Sequence, residues 1–245
     1  MPKYYSRPQA ASYGHAIGIL LIDCVTPFIP GDVGNASTYN FPVIYRTIPD
    51  VTITRLVDQG DKTLTDNVVK TARELEEYGV RAIASDCGYM IHFQREVAEA
   101  VKVPVILSSL IQLPTIERSL GSKEKIGILC AKAATLTPDM LKLAGLADPG
   151  RAVVYGMQDS EAFAGPMTFE KPLLDSDIIE KDIVAKAEKM ISENPEVAAI
   201  VLECSNMPPY AHAIQAATGR PVFDFITLIN YYQAASFRRE YAGFY

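Results

Sequence analysis

The chain has 245 residues, of which 49% are hydrophobic and 21% charged, proportions typical of a soluble globular protein. This length holds one large domain or two of roughly 100 to 130 residues, and either buries a substantial core. The net charge of −6 argues against a nucleic-acid partner, which favours a basic face. No run of about 18 apolar residues predicts a membrane span, and no cleavable leader is evident, so we expect a cytoplasmic protein.

Apolar, β-rich runs alternate with helical patterns along the chain, which is typical of parallel βαβ units. The runs cover residues 16–22, 51–57, 81–85 and 103–107 in the first half, and 125–130, 151–157, 198–203 and 220–225 in the second. The tetrapeptide Ile-Gly-Ile-Leu opens both halves, at 17–20 and 126–129. This internal repetition predicts two similar α/β lobes with four strands each.

Three helices have clear boundary signals. Thr65 can cap a helix that ends at Gly79, Thr137 with Pro138 starts another, and Asp177 begins a long helix that stops at residues 194–195. Residues 25–50 and 158–176 are long, turn-rich and contain aromatic residues. Loops of this length are usually lids or binding loops, so we expect that role for both.

Cysteine recurs at matching places in the two halves. Residues 80–106 align without gaps to residues 197–223, with eight of 27 positions identical, including Cys87 with Cys204 and Met90 with Met207. A single buried cysteine behaves as a small hydrophobic residue, but such a filler has no reason to recur at equivalent positions. We therefore expect Cys87 and Cys204 to act as an acid/base pair.

Each of these cysteines stands where a predicted strand meets the following helix. Ligands of open parallel sheets bind outside the carboxyl ends of the strands, and N–H groups at a helix start can lower the pKa of a thiol. Two thiols facing each other across a cleft can reach both faces of a planar carbanion, so one removes a proton and the other returns one. Four cysteines without a C-x-x-C pair, and no phosphate-binding glycine loop, predict no metal and no cofactor.

The segments "SDCGYM" and "LECSNM", together with "IGILLID" and "IGILCAKAATLTP", resemble the cofactor-independent aspartate/glutamate/hydantoin racemase superfamily. The resemblance covers essentially the whole chain. It implies an α/β fold of two pseudo-symmetric flavodoxin-like lobes, each with a four-stranded, mainly parallel sheet and one cysteine after its third strand, with the active site in the cleft between them.

The segments around the cysteines depart from the pattern of glutamate racemases. Those enzymes carry Asn-Thr after the first cysteine and Thr-His after the second, whereas this chain has Gly88-Tyr89 and Ser205-Asn206. The loop after Asp23 also differs from their short Asp-Ser motif. Glutamate is therefore not the expected substrate.

The expected substrate-binding residues surround the two cysteines and the ends of the first strands: Asp23, Asn35, Gly88, Tyr89, Thr135, Ser205 and Asn206. Ser205 and Asn206 can equally be turn and N-cap residues, and Thr135 can be local structure. Asp86 and Glu203 precede the thiols and are expected to point away from them; they either complete the strand ends or keep one thiol protonated. Cys24 and Cys130 are expected in the core or the pocket wall.

The expected function is a racemase or epimerase acting at a carbon alpha to a carboxylate, with an amino acid, a related small acid or a hydantoin-like compound as substrate. The alternatives are a maleate-type cis-trans isomerase or a decarboxylase of the same superfamily, and a non-catalytic small-acid binding protein. We expect a small carboxylate-bearing substrate, a homo-oligomer (dimer or higher), and no nucleic-acid or membrane partner. The expected lobes are residues 1–112 with 227–245, and residues 113–226.

Overall fold

Two parallel sheets form the framework of the protein in a computed structural model that describes residues 3–244. The strands are β1 (Ile17–Leu21), β2 (Val43–Thr47), β3 (Ala82–Ser85), β4 (Val105–Ile106), β5 (Lys125–Cys130), β6 (Ala152–Gly156), β7 (Val197–Leu202) and β8 (Val222–Phe223). The first sheet has the order β2-β1-β3-β4 and the second β6-β5-β7-β8. All neighbouring strands are parallel. The predicted α/β architecture of two matching lobes is confirmed.

The second strand of the first lobe lies earlier in the chain than its predicted position. Strand β2 pairs with β1, with Val43 opposite Ile17, inside the segment expected to be a loop. Residues 51–57, predicted as this strand, instead include a π-helical turn at Thr54–Asp58. Ile53 and Leu56 are buried on one side of that turn. The β-branched residues of this run indicated a strand, but packing overrides such a preference.

Eight helices flank the sheets in the described chain: α1 (Thr65–Tyr78), α2 (Gln94–Ala100), α3 (Leu113–Ser119), α4 (Pro138–Leu143), α5 (Glu161–Thr168), α6 (Ser176–Glu193), α7 (Ala211–Thr218) and α8 (Phe225–Ser236). Gly79 ends α1 with a positive φ of 83°, which glycine adopts without strain. The Thr137 hydroxyl accepts from the Met140 N–H and caps α4. Helix α6 ends at Glu193 with Asn194 as its C-cap, so three of the predicted boundaries are correct.

Other helix predictions were wrong in detail. Thr65 is the first residue of α1 rather than its cap, and α6 is capped by Asp175, two residues before the predicted start. The second expected loop, residues 158–176, contains α5, whose cap is Ser160. Pro166 lies inside this helix, and a proline there disfavours a helix in a sequence-based interpretation.

One of the hydrophobic clusters spans both lobes. A single buried cluster includes Leu20 and Ile83 of the first sheet together with Ile126 and Ile128 of the second. The lobes are therefore packed against each other rather than joined by a linker. None of the described helices is long and apolar enough to cross a bilayer.

The last helix, α8, packs on the first sheet although it follows the last strand of the second. Phe225 and Ile229 are fully buried in a cluster with Ile17 and Ala82. A capping box starts the helix, in which Asp224 and Thr227 exchange hydrogen bonds. This crossing accords with the expected discontinuous first lobe, whose boundaries at 112 and 227 stay a prediction.

Replacing Ile229 by alanine should lower the free energy of unfolding by about 2–4 kcal/mol, because a fully buried side chain leaves a cavity when truncated. Tyr231 is 69% exposed on the same helix, and Tyr231→Ala should change stability by less than about 0.5 kcal/mol. Urea denaturation of the two variants measures this difference. Equal effects would mean that α8 does not hold the first sheet.

Candidate active site

Cys87 and Cys204 lie in one cavity between the lobes, each two residues beyond the end of its strand, β3 or β7. The cavity holds about 40 Å³, room for two or three water molecules. It is lined by Ile22, Cys24, Thr26, Phe28, Ile53, Val57, Asp86, Cys87, Gly88, Tyr89, Ala131, Lys132, Met167, Thr168, Glu203, Cys204, Ser205 and Asn206. Six of the residues predicted from the sequence therefore meet at one place.

Three predicted binding residues do not line this cavity. Asp23 is exposed, and its backbone N–H donates to the Val51 carbonyl. Asn35 caps a short 3₁₀ turn and donates from Nδ2 to the Phe28 carbonyl. Thr135 contacts the Tyr89 hydroxyl at 2.7 Å. Thr135 therefore stands behind the tyrosine of the cavity wall, and the other two residues serve their own loops.

Each thiol has a backbone N–H two residues further on that lies close enough to lower its pKa. The Tyr89 N–H lowers the pKa of Cys87, and the Asn206 N–H lowers that of Cys204. Burial is the larger effect and raises both pKa values well above the usual range, with a further increase from Glu203. A thiolate in these buried surroundings is therefore unfavourable near neutral pH.

The buried carboxyls of Asp86 and Glu203 also line the cavity, although a strand geometry predicts that they point away from the thiols. Asp86 Oδ1 accepts from the Ile22 N–H at 2.9 Å, as a residue completing the strand end would. The Glu203 oxygens have no hydrogen-bond partner within the described chain. Burial raises the pKa of each carboxyl to about 8. The sequence signal for these two cavity residues is that an acidic residue precedes each of the two matched cysteines.

Cys204 belongs to a hydrogen-bonded chain that begins in the other lobe. The carboxylate of Asp32, which is fully buried, accepts from Asn206 Nδ2 at 2.6 Å. Asn206 Oδ1 then faces Cys204 Sγ at 3.4 Å, so the thiol is the donor. An acceptor for its proton favours the protonated form of Cys204. Asp32 lies in a Pro-Gly-Asp-Val-Gly-Asn segment whose composition is typical of a turn, so composition alone does not indicate this link to Cys204.

Two polar contacts join the lobes beside the cavity. The ammonium of Lys132 lies 2.5 Å from Asp58, and the Val25 N–H donates to Glu170 at 2.7 Å. Each contact joins a segment after β1 or β2 to a segment of the second lobe. Within residues 3–244, no group of three or more His, Cys, Asp or Glu side chains is arranged to hold a metal ion.

Solved structures with the same fold include racemases. The allantoin racemase of Pseudomonas fluorescens is 19% identical, with a TM-score of 0.64, and the match covers 89% of each chain. An aspartate racemase homologue from Pyrococcus horikoshii is 17% identical with a TM-score of 0.55, over 90% of this chain and 98% of the other. The protein therefore has the two-lobed fold of the aspartate/glutamate racemase superfamily.

Sequence relatives define the family within this fold. A dimethylsulfoniopropionate lyase of Durusdinium sp. clade D is 33% identical over 224 residues, which are 89% of this chain and 73% of the relative. Dimethylsulfoniopropionate lyase 7 of Emiliania huxleyi is 30% identical over 230 residues, 90% of this chain and 67% of the relative. No family model matches the chain. This chain belongs to the dimethylsulfoniopropionate lyase family.

The free energy of unfolding should fall as pH rises from 5 to 8. Asp86 and Glu203 have folded pKa values of about 8, so the folded state keeps protons that the unfolded state releases near pH 4. Each carboxyl contributes at most about 1.4 kcal/mol per pH unit. Glu203→Gln should flatten this dependence, and Glu161→Gln, at an exposed position, should not. Urea titrations at several pH values provide the measurement, and an unchanged slope in Glu203→Gln would contradict the assignment.

Proposed function

We propose that this chain is a lyase that cleaves dimethylsulfoniopropionate by β-elimination, with a cysteine thiolate as the base. The observation that carries this proposal is the pair of thiols in one cavity, in a chain 33% identical to a dimethylsulfoniopropionate lyase. The substrate has a carboxylate and, two carbons away, a positively charged dimethylsulfonium group. This proposal names the small carboxylate-bearing substrate that we expect from the sequence.

The reaction requires one base and no external oxidant or reductant. The thiolate takes a proton from the carbon next to the carboxylate, and the electrons of that C–H bond form the C=C bond. The carbon–sulfur bond breaks, and dimethyl sulfide leaves with its electron pair. The products are acrylate, neutral dimethyl sulfide and a proton on the enzyme thiol, which solvent then accepts. The leaving group is neutral and needs no proton.

The local contacts favour Cys87 as this base. A backbone N–H lowers the pKa of each thiol, but Cys204 in addition donates its proton to Asn206 Oδ1, which favours its protonated form. Lys132 is the basic residue among those lining the cavity, and we expect its ammonium, which is paired with Asp58, to contact the substrate carboxylate as well. The cavity of about 40 Å³ is smaller than this substrate, so we expect the contact between Val25 and Glu170 to open on binding.

Racemisation alpha to a carboxylate is the second candidate, as an isomerase activity of the same site. Matched thiols from two lobes favour it, because inversion needs a base on one face and an acid on the other. Both reactions begin with removal of the same proton. They differ in whether the carbanion receives a proton or expels a leaving group.

The purified protein should release dimethyl sulfide and acrylate in equal amounts from dimethylsulfoniopropionate. Gas chromatography of the headspace and liquid chromatography of the acid measure the two products. Incubation with D- and L-amino acids, hydroxy acids and hydantoins in heavy water tests the second candidate, through deuterium incorporated at the α-carbon. Incorporation without any dimethyl sulfide from the sulfonium compound would replace the lyase by a racemase.

The cysteine variants should have unequal activities if the reaction is an elimination. Cys87→Ser should lower kcat/KM at least about a thousandfold, or about 4 kcal/mol of barrier, because a serine alkoxide is not accessible near neutral pH. Cys204→Ser should keep measurable lyase activity, since no acid is needed. In Cys130→Ser, whose hydroxyl can keep the bond to the Tyr155 carbonyl, turnover should stay within about tenfold. Equal loss in both cavity variants would favour two-base chemistry.

A further inference from the structure

Glu203 is a buried acid without a partner, placed beside both thiols. Its side chain is fully buried and lines the cavity. The Ala131 N–H approaches closely enough to lower its pKa in part, yet neither oxygen makes a hydrogen bond of ordinary geometry. A buried carboxylate without a partner is costly unless a ligand offsets its charge.

The other buried acids at this site have their partners within the protein. Asp86 accepts from the Ile22 N–H, and Asp32 accepts from Asn206 and the Gly34 N–H. Lys132, the basic residue of the cavity wall, is paired with Asp58. Among the described residues that line the cavity, Glu203 is therefore the acid whose charge is left for a ligand.

Gly88 provides the space that the Glu203 carboxyl occupies. A Cβ atom at position 88 would overlap Glu203 Oε1 and would stand 2.5 Å from the Glu203 carbonyl oxygen. The equivalent residue of the second lobe is Ser205, whose hydroxyl donates to the Asp86 carbonyl. The two lobes thus differ at this pair of positions, and the difference brings a carboxyl across the interface.

We propose that Glu203 is the specificity residue that binds the positively charged group of the substrate, an onium group carrying methyl substituents. The identity of that group as a sulfonium rests on the proposed function. A sulfonium or quaternary ammonium group carries only carbon substituents and has no N–H or O–H to donate. It therefore suits a carboxyl in a cavity whose walls include Phe28, Ile53 and Met167. An ammonium group would keep three donors to satisfy.

Binding of a cation should change the ionisation of Glu203 itself. Burial raises the pKa of this carboxyl to about 8, so it is mostly protonated near neutral pH when no cation is beside it. A bound cation favours the carboxylate, and Glu203 then gives up a proton on binding. The cation also offsets the negative charge that would otherwise raise the pKa of both thiols.

The test compares two ligands of the same shape that cannot lose dimethyl sulfide: 3-(trimethylammonio)propionate and its neutral isostere 4,4-dimethylpentanoate. Calorimetric titration of the full chain should give at least about tenfold tighter binding of the cation. In Glu203→Gln the two ligands should bind with about equal affinity, and the affinity for the neutral isostere should change little. Glu161→Gln, the exposed control, should keep the preference.

A second variant and a second readout guard against a folding defect in Glu203→Gln. Glu203→Asp keeps the acid and withdraws it from the ligand by one methylene, so it should reduce the preference for the cation only in part. In the unaltered protein at pH 7, the cation should release more protons on binding than the isostere, as measured in two buffers of different ionisation enthalpy. Each of these results supports the assignment.

The proposal is overturned if the unaltered protein binds the two ligands equally or binds neither, or if Glu203→Gln keeps the preference. These outcomes are distinct from failure of the proposed function. A protein that prefers the cation but releases no dimethyl sulfide retains the assignment of Glu203 and loses the lyase reaction. A protein that releases dimethyl sulfide with an unchanged preference in Glu203→Gln keeps the reaction and loses the assignment.

Discussion

The close approach of residues 86–88 and 203–205 across the lobe interface is the constraint on which the site depends. The Ser205 hydroxyl donates to the Asp86 carbonyl. Glu203 lies so close to Gly88 that position 88 has no room for a side chain. Because each segment follows the third strand of its sheet, this contact brings the carboxyl ends of β3 and β7 together. The hydrophobic cluster that spans both lobes holds the sheets in that position, and the thiols meet as a consequence.

The electrostatics of this interface distinguish the site from a simple pair of thiols. Burial raises the pKa of both thiols well above the usual range and that of the two neighbouring carboxyls to about 8, so the cavity by itself opposes ionisation of either thiol. A substrate that brings its own positive charge changes this balance. The departures from glutamate racemases after each cysteine acquire a reason here, since Gly88 accommodates Glu203 and Asn206 links Cys204 to Asp32.

Much of the fold follows from periodicity, and the errors have a common cause. Seven of the eight predicted strand positions hold strands, because buried parallel strands are short apolar runs bounded by turn signals. Residues 51–57 have the same composition but pack as a helical turn, and Val43–Thr47 takes the place beside β1. The two runs have similar β propensity, and pairing with β1 decided which of them forms the strand. Propensity is a property of one segment and does not say which segment lies beside β1.

The sequence by itself determined the two-lobed α/β architecture and the pair Cys87 and Cys204, because a duplicated pattern places equivalent residues at equivalent strand ends. It did not determine which polar residues reach the cavity. Asp23, Asn35 and Thr135 have suitable chemistry but lie outside it, whereas Glu203 and Asp86 line it. Only the tertiary structure decided this, because a carboxyl enters a cleft according to how closely the opposite backbone approaches, and that distance is set by the packing of the two lobes.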